Sequence, residues 1–243
     1  MKRYVLVESH AEFNDPPWSL MREDLIVHQA LQLKKSTDAP SIMALLGFGL
    51  AYSIPFKMIR CVIAPEVLGC APVRNLVLWF SHALMFQPIW SPKIMDLLAD
   101  SLAQQEIPPD KIRQLLDRVQ QAFPAAMSEH SLPRSFSVSP HLQVQAHLLG
   151  LARAEQAPLI IDQCPDDYPC RIRNRFQVSI QSPDQFCAVL IQNHPIDCTL
   201  AFLELAQISR QSIRELLHQY RSVGLDQTSA FMKHILYPSF ETP

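Results

Sequence analysis

Ile54-Pro55-Phe56-Lys57-Met58-Ile59-Arg60-Cys61-Val62-Ile63 is an apolar run interrupted by Pro55, Lys57 and Arg60 and followed by Ala64-Pro65. Its reading decides the fold class. Taken as a buried helix, it ends before Pro65, because a proline ring disfavours helical geometry in the residue it follows. It then joins two other apolar segments with the same reading, Ile42 to Leu50 before it and Val73 to about Phe86 after it. Leu76 to Phe86 lies between Pro72 and Pro88, too short for the roughly 20 apolar residues of a membrane span, and reads as a core helix.

Further toward the N-terminus, Tyr4 to Val7 suggests a short strand. The Asn14-Asp15-Pro16-Pro17 loop leads into a helix from about Ser19 to Lys35, and Pro40 resets the chain. Downstream, Ser91 has the side chain of an N-cap and Pro92 the fixed φ of a first helical residue, with Ile94, Leu97, Leu98 and Leu102 on one face. A second helix starts after Pro108-Pro109 with Asp110 as cap. Its stripe is Ile112, Leu115, Leu116 and Val119, and it ends before Pro124. The short connection predicts that the two helices pack as a hairpin.

From Pro124 to Pro140 the composition shifts to Ser, Pro and isolated charges, which supplies turns but no periodic apolar face. Residues 1–123 are therefore expected to form a helical module, 124–140 a Ser/Pro-rich linker and 141–243 an α+β module. In the second module His141 to Glu155 reads as a helix and Leu159 to Ile161 as a short strand. Phe176-Gln177-Val178-Ser179-Ile180 alternates as a half-buried strand does. Phe186 to Ile191 is its expected β-hairpin partner across Ser182-Pro183-Asp184-Gln185, with helices from about Asp197 onward. The expected class is mainly α, α+β overall. Without a visible β–α alternation, a parallel, doubly wound sheet is not expected.

Composition removes several function classes. The 243 residues are 48% hydrophobic, as a chain with a real core requires. A net charge of −2 gives no whole-molecule field toward nucleic acid or a membrane surface, so any such contact must be local. With 5 glycines against 20 prolines, and neither G-x-G-x-x-G nor G-x-x-x-x-G-K-[ST] present, no phosphate loop and no cofactor is expected. Glu8, His10 and Glu12 interrupt any apolar leader after Met1-Lys2-Arg3-Tyr4, and the 6 cysteines contain no C-x-x-C. Both features favour a reducing, cytoplasmic setting without membrane association.

Catalytic chemistry has weak footing. G-x-S-x-G is missing, and Asp162, Asp166, Asp167 and His194 read more simply as solvated groups around a turn than as an acid–base site. Cys164, Cys170, His194 and Cys198 supply soft ligand types. Their C-x5-C spacing is wider than a zinc knuckle, however, and buried or free thiols are the expected state, with no metal.

One local pattern points to a function. Two helical segments, about Cys198 to Gln207 and Arg210 to Val223, meet at Ile208-Ser209, where Ser209 is the expected cap of the second helix. Phe202, Ala206, Ile213 and Leu216 occupy the apolar anchor places of a helix-turn-helix. Leu203 stands where a small residue is usual, and Gln207 where glycine usually makes the turn. Ile213, Leu216, Leu217 and Tyr220 form a burying stripe, Arg210, Arg214, His218 and Arg221 run along the other side, and Gly224 is placed to end the helix. The run Ile208 to Ile213 also loosely resembles the helical DNA-binding region of a flagellar master-regulator subunit, a family whose paired C-x-x-C zinc ligands this chain lacks. Ile54 to Ile63 parallels Ile208 to Leu217 in apolar spacing and one arginine, which suggests an internal repeat.

The expected function is thus DNA binding or transcription regulation, through Ser209, Arg210, Gln211, Arg214, His218 and Arg221. The alternative is a non-enzymatic protein–protein adaptor, assembly factor or regulatory subunit that uses apolar helix surface such as Val73 to Trp90, with protein partners or a second copy of the chain.

Overall fold

A computed structural model of the chain describes residues 58–130, 143–168 and 176–237. The expectations for residues 1–57 (the Tyr4 strand, the Ser19 and Ile42 helices, and the first part of the Ile54 run) lie outside them, as does most of the expected linker.

Within the described part, the deciding run is a strand and not a helix. Ile59–Ile63 forms β1, with Ile59 43% exposed and Cys61, Val62 and Ile63 fully buried on consecutive positions. Successive strand side chains point to opposite faces, so consecutive burial means that both faces of β1 are covered. A helix here would bury one stripe instead.

β1 lies inside a four-stranded sheet of order β2-β1-β3-β4, with β2 Phe86–Ile89, β3 Leu159–Ile161 and β4 Ser179–Gln181. All neighbours are parallel. Ile59 faces Phe86, Cys61 faces Leu159, and Leu159 faces Ser179. The expected α+β module with an antiparallel hairpin is therefore corrected: helices predominate, but they interleave with a parallel sheet, giving an α/β fold. Because β1 pairs with β3, residues on both sides of 124–140 share one sheet and one core.

Parallel strands must be joined by crossovers, and helices supply them. α1 (Pro65–Gly69) and α2 (Ala71–His82) connect β1 to β2. Between β2 and β3 come α3 (Pro92–Gln104), α4 (Pro109–Ala122) and α5 (Gln143–Ala154). After β4 the chain continues as α6 (Pro183–Asn193), α7 (Pro195–Ile208), α8 (Ile213–Ser222) and α9 (Asp226–Leu236). Among the described residues no single helix is long and apolar enough to cross a membrane.

The prolines explain the punctuation. α1, α2, α3, α4, α6 and α7 all carry proline in their first turn, where the missing N–H has no intrahelical acceptor to lose. Pro65 thus starts a helix rather than ending one. The same physics corrects the hairpin. Ser182 Oγ accepts the Gln185 N–H, the Gln185 side chain accepts the Ser182 N–H, and Pro183 opens α6, so Phe186 to Ile191 is helical.

Where the sequence expectation was helical and periodic, the structure agrees. Ser91 Oγ accepts the Ile94 N–H at 3.3 Å; Ile94, Leu98 and Leu102 are buried in α3, and Ile112, Leu115 and Val119 in α4, which packs on α3, although α4 is preceded by Pro108 as its N-cap and Asp110, the expected cap, lies inside its first turn. The echo between Ile59–Ile63 and Ile213–Leu217 joins a strand to a helix, so like spacing carries unlike structure there.

Truncating Ile63 to Ala should cost about 2–5 kcal/mol in denaturant unfolding, whereas Ile59→Ala should cost about 1 kcal/mol or less. Equal losses at the two positions would contradict the central, doubly covered placement of β1.

Candidate functional site

α7 and α8 are joined by Ser209-Arg210-Gln211-Ser212, and the geometry of this turn differs from the expectation in its caps. Ser209 closes α7 as its C-cap. Arg210 takes the left-handed conformation at φ 52°, with its N–H donating to Gln207 O and the Gln211 N–H donating to Ala206 O. That pair of bonds is the Schellman helix ending, whose left-handed residue is usually glycine, so the turn residue is Arg210 and Gln207 remains helical.

The second helix is capped by Ser212. Its Oγ accepts the Glu215 N–H at 3.3 Å, and Glu215 Oε2 accepts the Ser212 N–H at 2.7 Å. The Ser212 hydroxyl and backbone together hold the Glu215 carboxyl below its usual range. Serine followed three residues later by glutamate satisfies two orphan donors at once, which Ser209 has no partner to match.

The anchors behave as the pattern requires. Phe202, Ala206 and Leu216 are buried and Ile213 is half-buried; Leu217 and Tyr220 complete the stripe, with Tyr220 edge-on to Phe202. Leu203, where a small residue is usual, points outward and obstructs nothing. Gly224 at φ 85° ends the helix as expected. Of the expected contact residues, Arg210, Arg214, His218 and Arg221 are exposed, while Ser209 and Gln211 are half-buried in the turn. Arg214, His218 and Arg221 recur at helical spacing on one outer face of α8, and Arg210 precedes them.

A second constellation was not legible in the sequence. Glu155, just after α5, is 7% exposed and receives four donors. Arg60 of β1 donates to its carboxylate and to its backbone oxygen. Ser128 Oγ and His130 Nδ1 lie 2.5 and 2.8 Å from Oε1. Desolvation works to raise the Glu155 carboxyl, but the bonds from Ser128, His130 and Arg60 outweigh it and hold the group below its usual value. Nearby, Ser91 Oγ stands 2.8 Å from His147 Nε2, and Ser91, Lys93, Ser128, His130 and His147 line a pocket of about 220 Å³. These partners are 25 to 95 residues apart in the chain, so no local pattern announces them.

The other candidates resolve into structural roles. Asp162 is buried beyond β3, where its carboxylate accepts the Cys164 N–H and the Tyr168 hydroxyl. Asp166 and Asp167 form a short 3-10 turn, and His194 precedes α7 with its N–H on Leu190 O. Cys198 is buried against Met85, Cys164 is exposed, and Cys170 lies outside the described residues. Among the described residues no group of three or more His, Cys, Asp or Glu side chains is placed to hold a metal ion. No protein-family model, curated protein or solved structure matches the chain.

The lowered Glu155 carboxyl has a pH consequence with a definite sign. A carboxyl depressed by folding contributes stability above its unfolded value, and that contribution is lost as pH falls through the folded one. Thermal stability should therefore fall as pH drops below the usual glutamate range, and Glu155→Gln should flatten that fall while lowering stability at neutral pH. A variant as acid-sensitive as the wild type would remove Glu155 as the hub of this cluster.

Proposed function

We propose that the protein binds DNA through α7, the Ser209–Ser212 turn and α8. In this reading the start of α8 lies against the major groove, with Arg210, Gln211 and Arg214 toward it and His218 and Arg221 along the phosphates. The observation that carries the proposal is the two-sidedness of α8. Leu216, Leu217 and Tyr220 fasten it to the core, and Arg214, His218 and Arg221 remain exposed on its outer side. An α-helix with its side chains is about 10–12 Å across, the width of the B-form major groove. Ser209, half-buried at the end of α7, shapes the turn in this reading.

The adaptor alternative loses much of the apolar surface expected for it, because most of Val73 to Trp90 is buried by α2 and β2, Leu84 being exposed at 71%. It keeps another motive: Leu200 and Leu203, one helical turn apart on α7, are 60% and 38% exposed. A second copy of the chain seated there would also serve DNA binding, since paired half-sites raise affinity.

Replacing Arg210 and Arg214 by Ala should leave the fold within about 0.5 kcal/mol of wild type, as surface changes usually do. In a salt-titrated binding assay on duplex fragments it should weaken association and reduce the slope of log K against log salt by roughly 2, one unit for each phosphate contact. A wild-type protein without salt-dependent association, or a double variant that binds equally well, would sink this reading.

A further inference from the structure

The pocket contains a hydroxyl and an imidazole arranged for covalent chemistry that the DNA-binding reading does not use. Ser91 stands at the exit of β2 and the entry of α3. It is only 3% exposed as a residue, yet it lines the 220 Å³ pocket. Its backbone setting is fixed from both sides: the Trp90 N–H donates to Ala126 O, the Ser128 N–H donates to Trp90 O, and the Met95 N–H donates to Ser91 O. Its Oγ accepts the Ile94 N–H at 3.3 Å and lies 2.8 Å from His147 Nε2 on α5.

With one N–H already donated into Oγ, the hydroxyl proton is the natural bridge to an unprotonated Nε2. Burial first and the Lys93 charge second push the His147 imidazole below its usual value, which keeps it neutral at neutral pH. A neutral imidazole within hydrogen-bond reach of a serine hydroxyl is the nucleophile–base pair of acyl-transfer chemistry. The groups that would meet a developing oxyanion are on the same rim. Lys93 follows Pro92 in the first turn of α3, where an amide N–H has no acceptor within the helix, and Lys93 and Glu129 are among the residues that line the pocket.

We infer that Ser91 is a nucleophile activated by His147 and that the pocket accepts small acyl esters. The volume lies below that of common drug-sized pockets and suits an acyl group of a few carbons. In the first half-reaction Ser91 Oγ forms a bond to the ester carbonyl carbon while its proton passes to His147 Nε2. The carbonyl π pair moves onto oxygen. Collapse of that intermediate breaks the bond to the leaving alkoxide or phenoxide, which takes the proton from Nε2 and departs as the alcohol. In the second half-reaction water gives a proton to Nε2 and attacks the acyl-Ser91 carbonyl. Release of the carboxylic acid returns the proton to Ser91. Atoms and electrons balance with water as the sole co-reactant. None of this depends on α8, so the outcome is independent of DNA binding.

The full chain is treated with an alkyl fluorophosphonate, the modified residue is located by peptide mass spectrometry, and p-nitrophenyl acetate turnover is followed in parallel. Phosphonylation at Ser91 in the native protein but not after denaturation is expected, with loss of turnover on labelling. His147→Gln should slow labelling by about a hundredfold or more, the usual scale of general-base assistance. Ser91→Asn keeps an N-cap side chain, since asparagine caps as well as serine, and should fold normally while losing both label and turnover. No native-state labelling at Ser91 overturns the inference from the wild-type measurement alone. Labelling equally fast in His147→Gln, or full turnover in a folded Ser91→Asn, overturns it as well.

Discussion

A strand buried on both faces and paired on both edges is the constraint from which the rest of the molecule follows. β1 has β2 on one side and β3 on the other, and its last three residues have no exposure. Parallel partners require long crossovers, and helices lie between β1 and β2 and between β2 and β3. β1 also carries a charge into its setting. Arg60 is half-buried, and Glu155, arriving from α5, neutralises it and gathers Ser128 and His130 on the same carboxylate. Glu155, Ser128 and His130 are thus gathered around one arginine on the central strand.

The sequence was legible where its signal was periodic and local. Ile94, Leu98 and Leu102, Ile112, Leu115 and Val119, and Leu216, Leu217 and Tyr220 all bury as their 3.6-residue spacing implies. It was ambiguous where the signal was a short continuous apolar run. Ile59–Ile63 has neither period, and length alone leaves helix and buried strand alike. Leu159–Ile161 was easier, being three apolar residues set between Pro158 and Asp162. Ser91-Pro92 and Ser182-Pro183 are the same device, a capping hydroxyl before a residue with helical φ, but strand-like composition flanks the second and by itself suggests a hairpin turn. The capping box that settles the second is local, whereas β1 is settled by its tertiary pairing with β2 and β3.

Toward the C-terminus, the burying stripe and outer face of α8 are visible in the sequence, but the cap lies three residues beyond the expected one. Ser209 and Ser212 both precede the helix, and only Ser212 has glutamate three positions on. That reciprocal bond sets where α8 begins, and it places Arg210 in the turn, in the left-handed region that a glycine occupies more cheaply. The Ser91 and His147 pair shows the opposite limit. Each residue has an ordinary local account, a cap and a helix position, and only the packing of α5 near the exit of β2 makes them partners.

Net charge is a poor guide to such a surface because folding sorts charges unequally. The formal value of −2 treats all groups alike. Among the described residues, Glu155, Asp162 and Asp184 are buried acids, and Arg74 is the buried base. The acids are occupied: Glu155 by Arg60, Ser128 and His130, Asp162 by Tyr168 and a backbone N–H, and Asp184 by the Gln227 and Thr228 N–H groups at the start of α9. Glu215, though exposed, is engaged with Ser212 at the cap of α8. Acidic groups are thus drawn toward backbone donors and helix starts, where partial positive charge gathers. Arg214 and Arg221 meanwhile stay exposed on the outer side of α8, a local arrangement that whole-chain arithmetic does not describe. A slightly acidic protein can in this way carry exposed arginines on the outer side of one helix without a basic domain around it.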